Sequence, residues 1–328
     1  EEGYIKDLTQ SSGIAERYPS WSPDGKTIAY WSDKSGEYEL WLMEPGKENS
    51  ARKVTDYGAG YRYDISWSPD SKKIAFIDKA AKIKVFDIAG NTTADVDQAG
   101  YFSHDDMESM IFTWTPDSRW LSYCRDLDNW HRAAFIYDTK EKKVKQVTSG
   151  FYTAYNAAFD TEGKYLFVLT AQNFQPYYSD ADNTFIYANS SQLAAISLQK
   201  KGASLLTPKN DTVAVKQEEK PAPKEDDKKK DEKNKKDEKA ASDEKKNDSK
   251  ETVIDLDNME QRMELLPIDP GNLGNLSVAK GKVLYMRYPN TGSAENDATL
   301  KFYDIENREE KTIMSGVYLK TVKTTCGL

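Results

Sequence analysis

Four dipeptides recur at one place in this sequence, and their chemistry suits binding: Arg17-Tyr18, Arg62-Tyr63, Glu108-Ser109 and Tyr155-Asn156. A guanidinium fork holds a carboxylate through two parallel hydrogen bonds, and a tyrosine ring gives contact area at low entropic cost. Such residues suit reversible capture of a peptide. Arg17, Tyr18, Arg62, Tyr63 and Tyr155 are therefore the candidate peptide contacts. The plainer alternative is that they only pack the ends of the elements carrying them.

Cutting chemistry has less to work with. A nucleophilic site needs a nucleophile, a base and a group that orients the base. The chain has two histidines, His104 and His131, and neither stands in a recognisable nucleophile–base context. Ser22 and Ser68 fall in turns without a base. Asp126 with Asp128, and Asp180 with Asp182, offer oxygen ligands for Ca²⁺ but lack the Gly and distal Glu of an EF-hand loop. No Gly-rich phosphate loop is present. Cys124 and Cys326 make neither a disulfide framework nor a metal-ligand spacing. No catalytic, cofactor-binding or metal-binding residue is assigned, and no cofactor is expected.

The elements that position the dipeptides are repeats. Trp21-Ser22-Pro23-Asp24-Gly25 recurs as Trp67-Ser68-Pro69-Asp70-Ser71 and as Trp114-Thr115-Pro116-Asp117-Ser118, with a weaker copy at Phe159-Asp160-Thr161-Glu162-Gly163. The intervals are 46, 47 and 45 residues. Pro presets φ for a turn, Asp bonds the backbone ahead, and Gly accepts positive φ. An apolar strand follows each turn, at 27–31, 73–77, 120–123 and 165–169. A third follows at 38–42, 83–86, 134–137 and 193–196. A polar edge strand is expected at 52–55, 145–148 and 204–207. Four antiparallel strands in each repeat of this length predict an all-β protein, a β-propeller of four-stranded blades. The repeated Trp residues are expected between adjacent blades, and the repeated Asp residues are expected to brace turns.

Further strands are expected at 282–286, 300–305 and 311–314. Residues 6–9 resemble the fourth strand of a partial blade, and 317–319 resemble the start of another. The count is about five blades plus partial ones, which suggests part of a seven-bladed ring. Residues 1–207 are expected to hold blades, 208–251 a charged insert, and 252–328 the continuation of the propeller.

Residues 216–251 hold 13 Lys and 13 acidic residues and no large apolar side chain. Such a run cannot bury enough surface to offset chain entropy, so disorder is expected. Because the run is neutral, the net charge of −8 belongs to the rest of the chain. That acidity argues against a nucleic-acid partner, which needs a clustered basic face. No run of 18 apolar residues exists, so no membrane-spanning helix is expected. Glu1-Glu2-Gly3-Tyr4 does not read as a signal peptide.

The Trp-Ser-Pro-Asp-Gly pattern resembles the PD40 repeats of TolB-like, dipeptidyl-peptidase-like and tricorn-like propellers. A longer stretch is more specific. Ile254-Asp255-Leu256-Asp257-Asn258-Met259-Glu260-Gln261-Arg262, followed by Leu266-Pro267-Ile268-Asp269-Pro270-Gly271-Asn272-Leu273, resembles a segment of tricorn-type proteases. That segment reads Asp-hydrophobic-Asp, then Arg, then Pro-x-x-Pro-Gly-Asn/Asp-Tyr. Asn258 and Leu273 depart from its commonest Gly and Tyr. The resemblance implies the second propeller of an S41-type serine peptidase, with the PDZ and protease domains elsewhere in the parent chain. It implies a non-catalytic filter and channel for peptide or protein substrates. It further implies homo-oligomeric assembly and a cytoplasmic location, or a periplasmic one if the full-length gene carries a signal peptide. The alternative is a stand-alone TolB-like scaffold for protein–protein interaction.

Overall fold

The strands after the Pro-Asp turns are apolar at nearly every position because both of their faces are covered. The computed structural model describes residues 6–100, 107–208 and 251–317. It holds five four-stranded antiparallel sheets, the blades of an all-β propeller. Blade 1 is β1 (Glu16–Trp21), β2 (Ile28–Ser32), β3 (Glu39–Met43) and β4 (Arg52–Lys53). Blade 2 is β5 (Ser66–Trp67), β6 (Lys73–Ile77), β7 (Lys82–Asp87) and β8 (Thr92–Gln98). Blade 3 is β9 (Thr113–Trp114), β10 (Trp120–Asp126), β11 (Arg132–Asp138) and β12 (Lys143–Gln146). Blade 4 begins with β13 (Ala154–Phe159) and β14 (Tyr165–Ala171). A separate hairpin of β15 (Tyr177–Ser179) and β16 (Thr184–Ile186) follows, and then the blade resumes with β17 (Ser191–Ser197) and β18 (Met263–Leu265). Blade 5 is β19 (Asn272–Ala279), β20 (Lys282–Tyr288), β21 (Ala298–Asp304) and β22 (Glu309–Val317).

Two strand expectations need correction, and one strand had no expectation. The fourth strand of blade 4 is β18, not residues 204–207, which form a turn closed by Thr207 N on Ser204 O at 3.4 Å. The charged run therefore interrupts blade 4 between its third and fourth strands. Residues 6–9 form a turn in which the Asp7 carboxylate accepts the amides of Thr9 and Gln10. Blade 2 has a fourth strand, β8, whose polar sequence gave no periodic signal. Residues 318–328, with most of the expected further strand at 317–319, lie outside the described residues, as do His104 and residues 209–250.

The core lies between blades. Trp31, Leu40, Trp67 and Phe76 pack blade 1 on blade 2, and Ile83, Tyr123 and Phe135 pack blade 2 on blade 3. Trp120, Ile136, Phe159 and Val168 join blades 3 and 4, and Phe167, Leu193, Leu273 and Tyr285 join blades 4 and 5. Trp67 and Trp114 are buried as expected, but Trp21 is 50% exposed. No described blade flanks blade 1 on that side, so half of the Trp21 surface stays uncovered.

The Pro-Asp turns link neighbouring blades. Ser22, Ser68 and Thr115 hydroxyls each donate to the Asp two residues on at 2.6 Å. The backbone amide of Asp24 then donates to Ser71 Oγ, and that of Asp70 to Ser118 Oγ, at 3.1 and 2.9 Å. Ser71 and Ser118 reach back across the seam from φ near +60°. In blade 4 the equivalent residue is Gly163, also at positive φ, where a Cβ would meet Thr252 Oγ1 at 2.7 Å. Thr252, arriving after the charged run, takes the space of that side chain and donates its amide to Asp117 Oδ2 at 2.7 Å.

Strand direction assigns the two ends. The Pro-Asp turns, the C-terminal end of β17 and the start of β18 lie at one end. The β2–β3 type loops and the connections between blades lie at the other, here called the loop end.

Candidate functional site

The recurring dipeptides stand where each first strand begins, and all are therefore at the loop end. Hydrogen bonds join successive first strands: Trp67 Nε1 donates to Ser20 O at 3.1 Å, Ser66 Oγ to Phe112 O at 3.3 Å, and Phe159 N to Thr113 Oγ1 at 3.1 Å. The first strands thus form a row beside which the dipeptides gather.

Three first strands carry a bulge at one shared position. The register shifts between Arg17 and Ser20, between Tyr155 and Ala158, and between Gly274 and Ser277. The residue inside each shift has positive φ: Tyr18 at 50°, Asn156 at 55° and Asn275 at 52°. Asn tolerates this region, while a bulky Tyr there is an outlier that its surroundings must hold. Tyr18 is held from two neighbouring blades. Its hydroxyl donates to Glu108 Oε1 at 3.0 Å and lies 3.3 Å from the Tyr61 hydroxyl. Burial pushes the Tyr18 phenol well above its ordinary value, with Tyr61 and Glu108 adding to the shift.

Arg17 lies beside it, exposed. Its Nε donates to the Tyr38 hydroxyl at 3.0 Å, and its guanidinium sits 5.9 Å from the Tyr38 ring centre and 5.7 Å from that of Tyr61. The Tyr38 bond, then the nearby Tyr61 and Tyr38 oxygens, raise its pKa further, so it stays charged. Among the described residues its partners are tyrosines, not carboxylates. Arg17 thus presents an exposed, charged guanidinium flanked by two tyrosine rings.

Arg62 was expected to do the same and does something else. It is buried, and its Nη1 donates to Tyr38 O, Gly58 O and Gly60 O at 2.7, 2.9 and 2.9 Å. Beneath it, buried Glu39 accepts Thr55 Oγ1 at 2.6 Å and the Gly58 amide at 2.8 Å. Together they clamp the 55–61 loop, which presents Tyr61 against Tyr38 with ring centres 5.5 Å apart. Tyr63 is buried too, its ring 4.8 Å from Tyr61 and its carbonyl accepting Trp31 Nε1. Tyr155 stands apart in blade 4, its hydroxyl on Ser191 Oγ. The structure therefore brings Arg17 and Tyr18 together and uses Arg62 and Tyr63 as supports.

Tyr38 and Tyr61 are the contacts the sequence did not single out. Tyr61 precedes Arg62 directly, so a window one residue wider at each first strand would have found it. Tyr38 directly precedes the third strand β3, and only the fold brings it near.

Among the described residues, no nucleophile–base pair joins this cluster. His131 Nδ1 lies 2.9 and 3.0 Å from the carbonyls of Gly150 and Phe151. Asp126 is held by Arg132 at 3.1 Å. Among the described residues, no three His, Cys, Asp or Glu side chains converge in a way that could hold a metal ion.

Comparison with known proteins agrees with this architecture. The family model for the tricorn protease second beta propeller domain matches residues 1–322. Tricorn protease homolog 1 of Streptomyces coelicolor is 22% identical over 297 residues, which is 88% of this chain and 25% of that protein. The crystal structure of the tricorn protease superposes with a TM-score of 0.67 at 18% identity, over 92% of this chain and 26% of the other. A putative TolB from Agrobacterium tumefaciens gives a TM-score of 0.52 at 14% identity, over 93% and 82%. The chain thus spans about a quarter of the length of the tricorn relatives it matches.

Proposed function

The chain belongs to the family of the tricorn protease second β-propeller domain, and from that premise we propose that it guides peptides toward a catalytic domain outside these residues. It is the non-catalytic propeller of a tricorn-like serine protease. Its loop end filters and holds substrate, and hydrolysis occurs elsewhere in the parent chain. On the same reading, residues 208–251 are an insert between the third and fourth strands of blade 4. PDZ and protease domains of the parent chain, and further copies of it, are its partners.

The observation that carries this reading is the charged Arg17, exposed between the Tyr38 and Tyr61 rings. A cation flanked by rings on a clamped loop suits a peptide carboxylate, bound reversibly and without chemistry. Tyr18, strained and tied to Glu108, supplies an aromatic wall beside it.

The test compares peptide hydrolysis by this chain with hydrolysis by the full-length product of its gene, using fluorogenic peptides with and without a serine-reactive inhibitor. Activity confined to the longer protein and lowered by Arg17→Ala is expected. Inhibitor-sensitive activity in the 328-residue chain itself overturns the reading. Activity in neither favours a stand-alone scaffold.

A further inference from the structure

A second surface at the loop end has no role in that scheme. The 171–191 loop of blade 4 carries a hairpin whose β15 and β16 pair only with each other: Tyr177 faces Ile186, Tyr178 faces Phe185, and Ser179 faces Thr184. A two-stranded ribbon is marginal in water by itself and gains from a third strand. Neither outer edge of this one is paired among the described residues. Its large side chains are bare on both faces, with Tyr177, Tyr178, Phe185, Ile186 and Tyr187 between 48% and 60% exposed. At its base, Phe174 packs on Tyr187 at 5.8 Å and on Tyr152 at 5.3 Å, which extends the apolar ground to the blade itself. Exposed apolar surface of this extent marks an interaction site more often than a chance of composition.

Charge indicates which partner fits. Between residues 171 and 191 there is no Lys or Arg, and the charged residues are Asp180 and Asp182 at the hairpin tip. Asp182 is fixed in the turn, accepting the Thr184 hydroxyl at 3.0 Å, and the Ser179 and Thr184 bonds hold its carboxyl below the usual range. The tip is therefore anionic at neutral pH. Backbone edges that lack partners, bare apolar faces and a negative tip together describe a template for an extended cationic strand.

We propose that the 171–191 hairpin is a strand-addition site for extended peptide segments in which basic residues alternate with apolar ones. The added segment bonds a hairpin edge through its backbone. Its apolar face lies on the hairpin rings, and its basic residues meet Asp180 and Asp182. This site is separate from Arg17, which attracts the opposite charge, and it does not depend on catalysis by any parent protein.

The probe is a blocked, fluorescein-labelled octapeptide of alternating Val and Lys, with a twin N-methylated at alternate amides. Both are titrated into the chain by fluorescence anisotropy. Saturable binding of the first is expected, with about tenfold weaker binding of the twin, because N-methylation removes strand hydrogen bonds and keeps the charge. Excising residues 174–189 for Asn-Gly is expected to weaken binding about tenfold with the thermal transition unchanged. The two flanks already meet, Asn173 N donating to Ser190 O at 3.3 Å. D180N together with D182N is expected to weaken binding about threefold at low salt. Equal affinity for the twin, undiminished binding after excision, or no saturable binding overturns the proposal. Self-association of the chain that disappears on excision overturns it too, in favour of a second copy as the occupant.

Discussion

At the turn end, blades 1, 2 and 3 use one device three times, a Ser or Thr hydroxyl on an Asp carboxylate at 2.6 Å. At the loop end blades 1, 4 and 5 share a bulged first strand, but the side chains and loops around it differ from blade to blade. Arg62 and Glu39 clamp the loop from blade 1 to blade 2, blade 1 holds Tyr18 at positive φ, and blade 4 raises a bare hairpin. The sheets between the two ends share one four-stranded antiparallel order. Repetition at one end fixes the blades against each other, and this leaves the other end free to vary. Binding residues belong where a change in one blade need not disturb its neighbours.

The largest expected effect tests whether the repeated end carries stability. Trp67→Ala empties a buried seam and costs about 3–5 kcal/mol. Trp21→Ala, at the same motif position but half exposed, costs at most about 1 kcal/mol. Denaturant midpoints of the two variants measure the difference, and equal losses break the comparison.

Arg62→Ala is next, at about 2–4 kcal/mol, because it leaves three carbonyls of the 38–60 region without their charged donor. Arg62→Lys recovers about half, lacking the planar fork. Peptide affinity falls with both variants, since Tyr38 and Tyr61 lose their clamp. This loss is read by titrating a labelled peptide into variants that remain folded.

Blade 5 supplies a pH test. Glu310 accepts Tyr285 OH, Arg287 Nη2 and Lys301 Nζ at 2.6, 2.8 and 2.6 Å. Burial alone would raise its carboxyl, but the bonds from Lys301, Tyr285 and Arg287 outweigh it and hold the pKa below the ordinary value. A carboxyl lowered on folding stabilises the fold above its unfolded pKa, and that gain is lost as pH falls through the folded value. Glu310→Gln should therefore cost about 1–2 kcal/mol at neutral pH and progressively less in acid below the usual carboxylate range. Melting curves of both proteins across pH check the sign.

A smaller effect probes the seam. Ser118→Ala removes the acceptor for the Asp70 amide but keeps the positive φ, and costs about 1 kcal/mol. Ser118→Gly loses the same bond yet relieves the backbone, and should cost less. Equal losses would mean that the left-handed residue is not strained.

The repeats were legible because their turns demand particular residues. Pro23, Asp24 and Gly25 each answer one backbone requirement, so the period survives in the letters. The last strand of blade 4 was not legible, because β18 arrives after the charged run and residues 204–207 stand where the other blades keep their fourth strand. Neither was the division of labour between Arg17 and Arg62. Both are Arg-Tyr pairs ahead of a first strand, but Arg62 stands opposite Asp78 as Glu16 stands opposite Ser32, one position away from Arg17, and there three carbonyls gather around it. Carbonyl direction is a property of the folded loop and leaves no trace in residue type.

That pair also yields the finest test. Arg17 touches Tyr38 and Tyr61 from outside, and removing an exposed side chain leaves no buried group unpaired, so Arg17→Ala should shift stability by no more than about 0.5 kcal/mol. Its effect belongs to the ligand. A peptide with a free C-terminal carboxylate should bind about tenfold more weakly to Arg17→Ala, while its C-terminal amide, which gives the fork nothing to hold, should bind both proteins alike. Arg17→Lys should restore part of the carboxylate preference but not the ring stacking. If the amide lost as much affinity as the acid, Arg17 would be a packing residue like Arg62. The loop end would then differ from the turn end only in its irregularity, not in its task.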